Sequence, residues 1–315
     1  MTNDLRVWLL AGSLLLIFVG VVYFLVIRRK KPLPLKLPPG ELKTTSQTKV
    51  NDFEIHFVQA GQGPHLVLLH GIGASVFCWR HIFAPLTDHF TVTALDLPGF
   101  GKSSKLSHAD YGLDAQARRV LDFLESLNID QSYLVGSSMG GAIALWLAKM
   151  HPDNFKKVAT ISPAIHHRVV PMTFSRLSVL APVAKHSVNK FMIKKFMQRV
   201  VANPTNISDE AVLRNFEPYQ NNPDAIATFL KATDLLGDHR LPEELVTLNR
   251  ENVELLFLWG AKDRMTPVSQ LSDLKPYFSQ AQYRVHPTGG HHLMEDNPEW
   301  VVESLIQFFN SKQNL

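Results

Sequence analysis

Residues 133–141 read YLVGSSMGG, an apolar run that ends in two serines held between glycines and leads into the helix-prone AIALWLAKM. A strand that reverses at once into a helix must cross strained backbone angles at the turn. Side chains on either flank would collide with the neighbouring strand and helix, so glycine suits both positions. In this G-x-S-x-G arrangement Ser138 stands at the apex between Gly136 and Gly140, with its hydroxyl projected clear of the backbone. Ser137 takes the variable position and points elsewhere. Ser138 is the candidate nucleophile.

Working outward, short apolar runs recur: FEIHFVQAG from Phe53, HLVLLHG from His65, TVTALDLPG from Thr91, KVATISP from Lys157 and VELLFLWG from Val253. Helical stretches such as LDAQARRVLDFLESL lie between them. Continuous apolar runs indicate strands buried on both faces, and the alternation predicts an α/β fold, a mostly parallel sheet with helices on both faces. Between Pro163 and about Arg240 the strand rhythm stops. There SVNKFMIKKFMQRVV sets Met192, Ile193, Phe196, Met197 and Val200 on one helical face, with Lys190, Lys194, Lys195 and Arg199 on the other. This predicts a helical cap inserted into the core. The expected boundaries are core at 46–162, cap or lid at 163–240 and core again at 241–315, closed by a helix that Asn297 and Pro298 begin.

The N-terminus differs in character. Val7–Ile27 carries no charge, and as a helix it would span roughly 30 Å, the thickness of a bilayer's hydrocarbon core. Arg28, Arg29, Lys30 and Lys31 follow it, the reverse of a signal peptide's layout, and no small-residue cleavage site appears. Residues 1–31 therefore read as an uncleaved N-terminal transmembrane helix with a basic flank, the following chain facing the cytoplasm. Residues 32–45, rich in proline, form an extended spacer.

Composition excludes other classes. The 315 residues are 45% hydrophobic and 19% charged, the balance of a globular chain, and the net charge of +4 is too mild to imply a nucleic-acid partner. A single cysteine, Cys78, precludes an internal disulfide and a multi-cysteine metal site. DLPGFGKSS lacks the spacing of a phosphate-binding loop, so no nucleotide site and no cofactor is expected. Oligomeric state is left open.

A serine hydroxyl needs a base and an orienting carboxylate. Asp263, just past the strand VELLFLWG, and His291 in GGHHLMEDNPEW follow Ser138 in nucleophile–acid–base order. Here the chain resembles the α/β-hydrolase superfamily from residue 46 onward. HGIGAS, DLPGFGKSS, GSSMGG, WGAKDRMTP and GGHHLMEDNPEW match its motifs in content, order and approximate spacing, and together they are specific. The resemblance implies His291 rather than His292 as the base. It also implies an oxyanion hole from the backbone N–H groups of Ile72, in HGIG, and Met139, directly after the nucleophile. His70 would support the oxyanion loop and Asp96 would shape its own loop. His166 and His167, where the cap begins, read as surface residues, with a place lining the pocket entrance as the alternative. Glu295 and Asp296 read as acidic residues favouring the last helix electrostatically.

Three functions compete at this level. The first is a serine hydrolase of carboxylic esters, of lipids such as monoacylglycerols, since the chain also resembles membrane-anchored monoacylglycerol lipases. The second is carbon–carbon or amide hydrolysis on the same scaffold; epoxide hydrolases and dehalogenases of the superfamily need aspartate where Ser138 stands. The third is a non-catalytic binding protein. The basic cap helix has two readings, an ordinary lid or a lid that also meets anionic lipid headgroups.

Overall fold

The apolar runs alternate between two cores. In β3 (His65–Leu69), Leu66 and Leu68 pack on one face of the sheet while Val67 and Leu69 pack on the other, and all four are fully buried. The same division holds along β7 (Glu254–Gly260), with Leu255, Phe257 and Trp259 on one side and Leu256 and Leu258 on the other. A strand covered twice has no solvent face, which is why period-2 alternation vanishes from its sequence.

The computed structural model describes residues 45–166, 188–234 and 241–311. The expected membrane span, the basic flank, nearly all of the proline-rich spacer and His167 lie outside these residues. Among the described residues no helix is long and apolar enough to cross a membrane.

The strands in chain order are β1 (Thr45–Val50), β2 (Phe53–Ala60), β3, β4 (Thr91–Leu95), β5 (Tyr133–Ser137), β6 (Lys157–Ile161), β7 and β8 (Gln282–His286). They form one sheet in the order β1-β2-β4-β3-β5-β6-β7-β8. The β1–β2 and β2–β4 pairings are antiparallel; every pairing from β4 to β8 is parallel. β1, with its alternating exposed and half-buried residues, was not anticipated, because TSQTKV carries too little apolar signal to stand out.

Helices α1 (Phe83–Thr87), α2 (Leu113–Ser126) and α3 (Met139–Met150) interleave with the strands of the first half. α2 sets Ala117, Val120, Phe123 and Leu124 into one core, and α1 gives Phe83 and Leu86 to the other. Among the described residues no strand lies between Ile161 and Glu254. That interval holds α4 (Lys190–Val200), α5 (Asp209–Phe216), α6 (Pro223–Asp234) and α7 (Leu241–Leu245). Two small apolar clusters of its own bind it, one around Met197, Val201, Ile207 and Val212, the other around Tyr219, Ala225, Ile226 and Leu230. The chain closes with α8 (Gln270–Leu274), α9 (Leu293–Asp296) and α10 (Pro298–Asn310), whose Val301, Leu305 and Phe308 complete the second core.

One expectation on these elements needs correction. The apolar face of α4 is narrower than its periodicity suggests. Met197 and Val200 are buried, yet Met192 is 50% exposed and its neighbour Phe191 68%. The first turn of α4 extends past the small cluster beneath it, so helical phase alone overstates what it can bury. Asn297 is the N-cap of α10 and Pro298 stands in its first turn, as expected, although the Asn297 side chain makes no cap hydrogen bond. A separate turn of helix, α9, brings the chain into α10.

Candidate active site

The parallel strands β5, β6, β7 and β8 end at one edge of the sheet, and the candidate residues sit just beyond those ends. Ser138 follows β5, Asp263 follows β7 and His291 follows β8. Ser138 adopts φ 53° and ψ −116°, a conformation that costs a non-glycine residue about 1–3 kcal/mol. Hydrogen bonds over-determine it. Its N–H donates to Ile161 C=O (2.9 Å), and its C=O accepts from Gly141 N–H (2.9 Å) and Ala164 N–H (3.0 Å). The flanking glycines allow the sharp bend. A methyl on Gly136 would stand 2.1 Å from Gly140 O, and one on Gly140 would stand 2.0 Å from Leu69 O. No side chain fits either place.

Asp263 and His291 meet. His291 Nδ1 lies 2.9 Å from Asp263 Oδ2, both residues buried. A carboxylate only accepts, so Nδ1 carries the hydrogen and Nε2 keeps its lone pair. The carboxylate is held on all sides: Oδ1 accepts from Met265 N–H (2.8 Å) and Thr266 N–H (2.9 Å), and Oδ2 from the Thr266 hydroxyl (2.8 Å). Burial by itself would raise its pKa. The facing His291 charge and hydrogen bond and the Thr266 N–H outweigh that and hold it below the usual carboxylate value. Thr266 was invisible in the sequence, since its role depends on a three-residue turn after Asp263.

Met139 supplies the first N–H of α3, a group with no acceptor inside its own helix and at the positive end of the helix dipole. Ile72 lies between Gly71 and Gly73 in a turn closed by Ala74 N–H to Gly71 C=O (3.2 Å). This turn runs beside the serine, for a methyl on Gly71 would sit 3.2 Å from Ser138 Cβ and 3.8 Å from its Oγ. His70 braces the turn: its Nδ1 lies 2.7 Å from Gly71 O, and its Nε2 accepts from Leu97 N–H (2.9 Å). Burial lowers its pKa, so it stays neutral and can accept at Nε2. Asp96 shapes its loop by accepting from Val76 N–H and Lys102 N–H, each at 2.7 Å, with His56 Nδ1 also at 2.7 Å.

The acidic pair after His291 departs from expectation. Glu295 is buried and forms a two-pronged pair with Arg80 (Nη1–Oε1 2.5 Å, Nη2–Oε2 2.6 Å), tying the segment after the Ile72 turn to the segment after His291. Asp296 accepts from Gly290 N–H (2.9 Å), Ala202 N–H (2.7 Å), Asn203 N–H (3.3 Å) and Asn206 Nδ2 (3.0 Å). Val200 C=O adds a bond from His292 N–H (3.0 Å). Asp296 therefore fastens the His291 loop to residues 202–206, while Glu295 ties it to Arg80. Sequence spacing could not reveal this, because Arg80 lies 215 residues from Glu295 and the Asp296 partners in 202–206 lie 90 to 94 residues away. His166 likewise is buried, 3.1 Å from Asp273 Oδ2, and not a surface residue.

Asp296→Ala is expected to free several backbone donors at once. Stability should fall by about 1.5–3 kcal/mol, the scale of hydrogen bonds to a charged group. Turnover should fall roughly 10- to 100-fold because His291 loses its tether. Urea unfolding and initial rates check both; Asp296→Asn, which keeps one acceptor oxygen, should lose less.

His292 is distinct from its neighbour. Its ring is stacked on His291 at 5.7 Å, and burial first, then the His291 charge, lower its pKa to about 4. Between that value and the ordinary 6.5 the unfolded chain binds the proton and the folded chain does not, so this stabilisation is complete above about pH 6.5 and fades as pH falls toward 4. His292→Gln should flatten that part of the stability profile, measured as the urea midpoint against pH. A slope equal to the parent's would contradict the assignment.

Comparison with known proteins fits this architecture. Residues 64–230, more than half of the chain, match the alpha/beta hydrolase fold family, and the chain belongs to it. It is 28% identical to a 2-hydroxy-6-oxo-6-phenylhexa-2,4-dienoate hydrolase of Comamonas testosteroni, over 85% of this chain and 95% of that one. It is also 28% identical to the pimeloyl-[acyl-carrier protein] methyl ester esterase of Vibrio vulnificus, over 81% of this chain and 98% of that one. Among solved structures, a bacterial membrane phospholipase A described as a virulence factor superposes with a TM-score of 0.71 and 25% identity, covering 98% of this chain and all of that one. The chain is thus a hydrolase of alpha/beta fold whose relatives include esterases and carbon–carbon hydrolases.

Proposed function

We propose that this protein is a membrane-anchored serine hydrolase that cleaves carboxylic esters of lipids, such as monoacylglycerols, through an acyl-enzyme on Ser138. The observation that carries the reading is the His291–Asp263 pair at 2.9 Å, at the same sheet edge as a serine on a strained strand-to-helix bend. His291 Nε2 takes the Ser138 proton as Oγ attacks the carbonyl carbon, then gives it to the departing alkoxide. Water repeats the cycle in reverse to release the acid. The oxyanion forms against the N–H groups of Met139 and Ile72, each donor contributing about 3–4 kcal/mol at the transition state. No step calls for a cofactor.

The lipid substrate and the membrane anchor rest on different support. The charge-free span Val7–Ile27 with its Arg28–Lys31 flank supports tethering with the catalytic part on the cytoplasmic side. The likeness to a membrane phospholipase A over nearly the whole chain supports a lipid ester. On this reading residues 163–240 form the lid over the site, after a spacer at 32–45. A second reading, hydrolysis of a carbon–carbon bond, is favoured by the likeness to dienoate hydrolases such as the Comamonas relative.

The deciding experiment assays the full chain in detergent against monoacylglycerols, lysophospholipids, p-nitrophenyl esters of increasing acyl length and a 2-hydroxy-6-oxo-dienoate. Long or medium acyl chains should be preferred. Preference for acetate would count against a lipid ester, and turnover of the dienoate alone would establish the second reading. Protease added to sealed right-side-out vesicles should spare the catalytic part; digestion would reverse the orientation.

A further inference from the structure

The cap brings one polar group to the oxyanion loop that the mechanism above does not use. Tyr219, at the end of the short turn Glu217–Tyr219, is 91% buried by its 9% exposure, among Ala225, Ile226, Leu230 and Phe229. Among the described residues its hydroxyl makes no hydrogen bond, and the oxygen itself is not sealed off but reaches accessible space. Yet it stands against Gly73, one residue past Ile72. A methyl placed on Gly73, whose φ is +73°, would lie 3.4 Å from the phenol oxygen and 2.9 Å from the Phe229 ring. The bare backbone at Gly73 is what lets these two cap residues settle on the loop.

Packing does not explain the oxygen. Phenylalanine would fill the same apolar cluster, whereas a hydroxyl left accessible beside the oxyanion loop has a donor and an acceptor to offer a bound ligand. We propose that Tyr219 is a specificity residue: its hydroxyl donates a hydrogen bond to a second oxygen of the substrate, close to but distinct from the reacting carbonyl. This deepens the ester-hydrolase reading and rests on it. Burial pushes the phenol's pKa up, so it remains a donor at every working pH. The preferred substrates would then be acyl compounds with an oxygen near the scissile bond, on the alcohol or the acyl side. A site whose donor is desolvated when substrate binds rejects analogues lacking the matching acceptor more strongly than an apolar pocket can.

The test compares the parent chain and Tyr219→Phe on three substrates with one acyl chain length: the monoacylglycerol, the propyl ester, and the propyl ester of the 2-hydroxy acid. Tyr219→Phe should lower kcat/KM roughly 10- to 100-fold on one of the two oxygen-bearing substrates and less than about threefold on the plain propyl ester. The substrate that loses rate identifies the side. Equal losses on all three would show a merely structural role and overturn the proposal, as would no loss on any.

A binding arm separates this proposal from the catalytic reading. In the Ser138→Ala background, calorimetry with a non-hydrolysable monoalkylglycerol ether and with a 2-hydroxyalkyl ether should show weaker affinity for one of them when Tyr219→Phe is added. Unchanged affinity for both would overturn the Tyr219 assignment even if the parent proves an esterase. Weakened affinity in a chain that hydrolyses no ester would uphold the contact and reject the activity.

Discussion

Ser138→Ala is expected to abolish labelling by a fluorophosphonate probe and to lower ester turnover on the order of 10⁶-fold, the scale seen when a serine nucleophile that acts as a unit with its base is removed. The argument is geometric. Ser138 holds φ 53° at the start of α3, with the Met139 N–H on one side and the Ile72 turn on the other. Alanine has the same backbone tolerance for that bend, so the fold should survive and circular dichroism should match the parent. Ser137→Ala is the control. Ser137 is buried, and its hydroxyl has no hydrogen-bond partner among the described residues. It occupies the inner position of the motif, and labelling should persist. Labelling that survives Ser138→Ala and disappears with Ser137→Ala would invert the assignment.

Asp263→Asn should be nearly as damaging, roughly 10⁴-fold in kcat, although it alters only one atom and a charge. The hydrogen-bond pattern predicts which way the amide settles. Met265 N–H and Thr266 N–H both donate to Oδ1, so the amide oxygen must take that position. The NH₂ group then faces His291 Nδ1 at the Oδ2 position, 2.9 Å away. Nδ1 has to accept, the ring hydrogen moves to Nε2, and the nitrogen that should receive the serine proton is already occupied. The imidazolium also loses its counter-charge. Loss of kcat with KM little changed, and partial recovery as pH rises, would match this account. An activity within tenfold of the parent would show that Asp263 does not orient the base.

Much of the core was readable before any coordinates. The bend at GSSMG, the doubly buried strands and the serine–aspartate–histidine order are local or ordinal features. Steric exclusion at Gly136 and Gly140 acts within a few residues, and two-sided burial writes itself into each strand as an unbroken apolar run. β1 escaped notice because an edge strand, half exposed, needs no such run. α4 misled because helical phase says which residues share a face, not whether anything lies beneath the end of that face. Phe191 and Met192 share their helix with buried Met197 but overhang the cluster that covers it.

The roles of Glu295, Asp296 and His166 were misjudged for a common reason. Each appeared as a charged or titratable residue near an element end, where helix dipoles or solvent are the ordinary explanation. In the folded chain each one meets a partner more than eighty residues away: Arg80 for Glu295, Ala202 and Asn203 for Asp296, Asp273 for His166. Amino-acid order by itself determined the alternation of strands and helices, the tight bend and the residue that crowns it, because those follow from short-range sterics and from which faces must avoid water. Only the tertiary structure decided what braces His291, which of residues 188–234 reach the turn at Ile72 and which buried polar atoms remain without a mate, because hydrogen bonds are satisfied through space and leave no periodic trace along the chain.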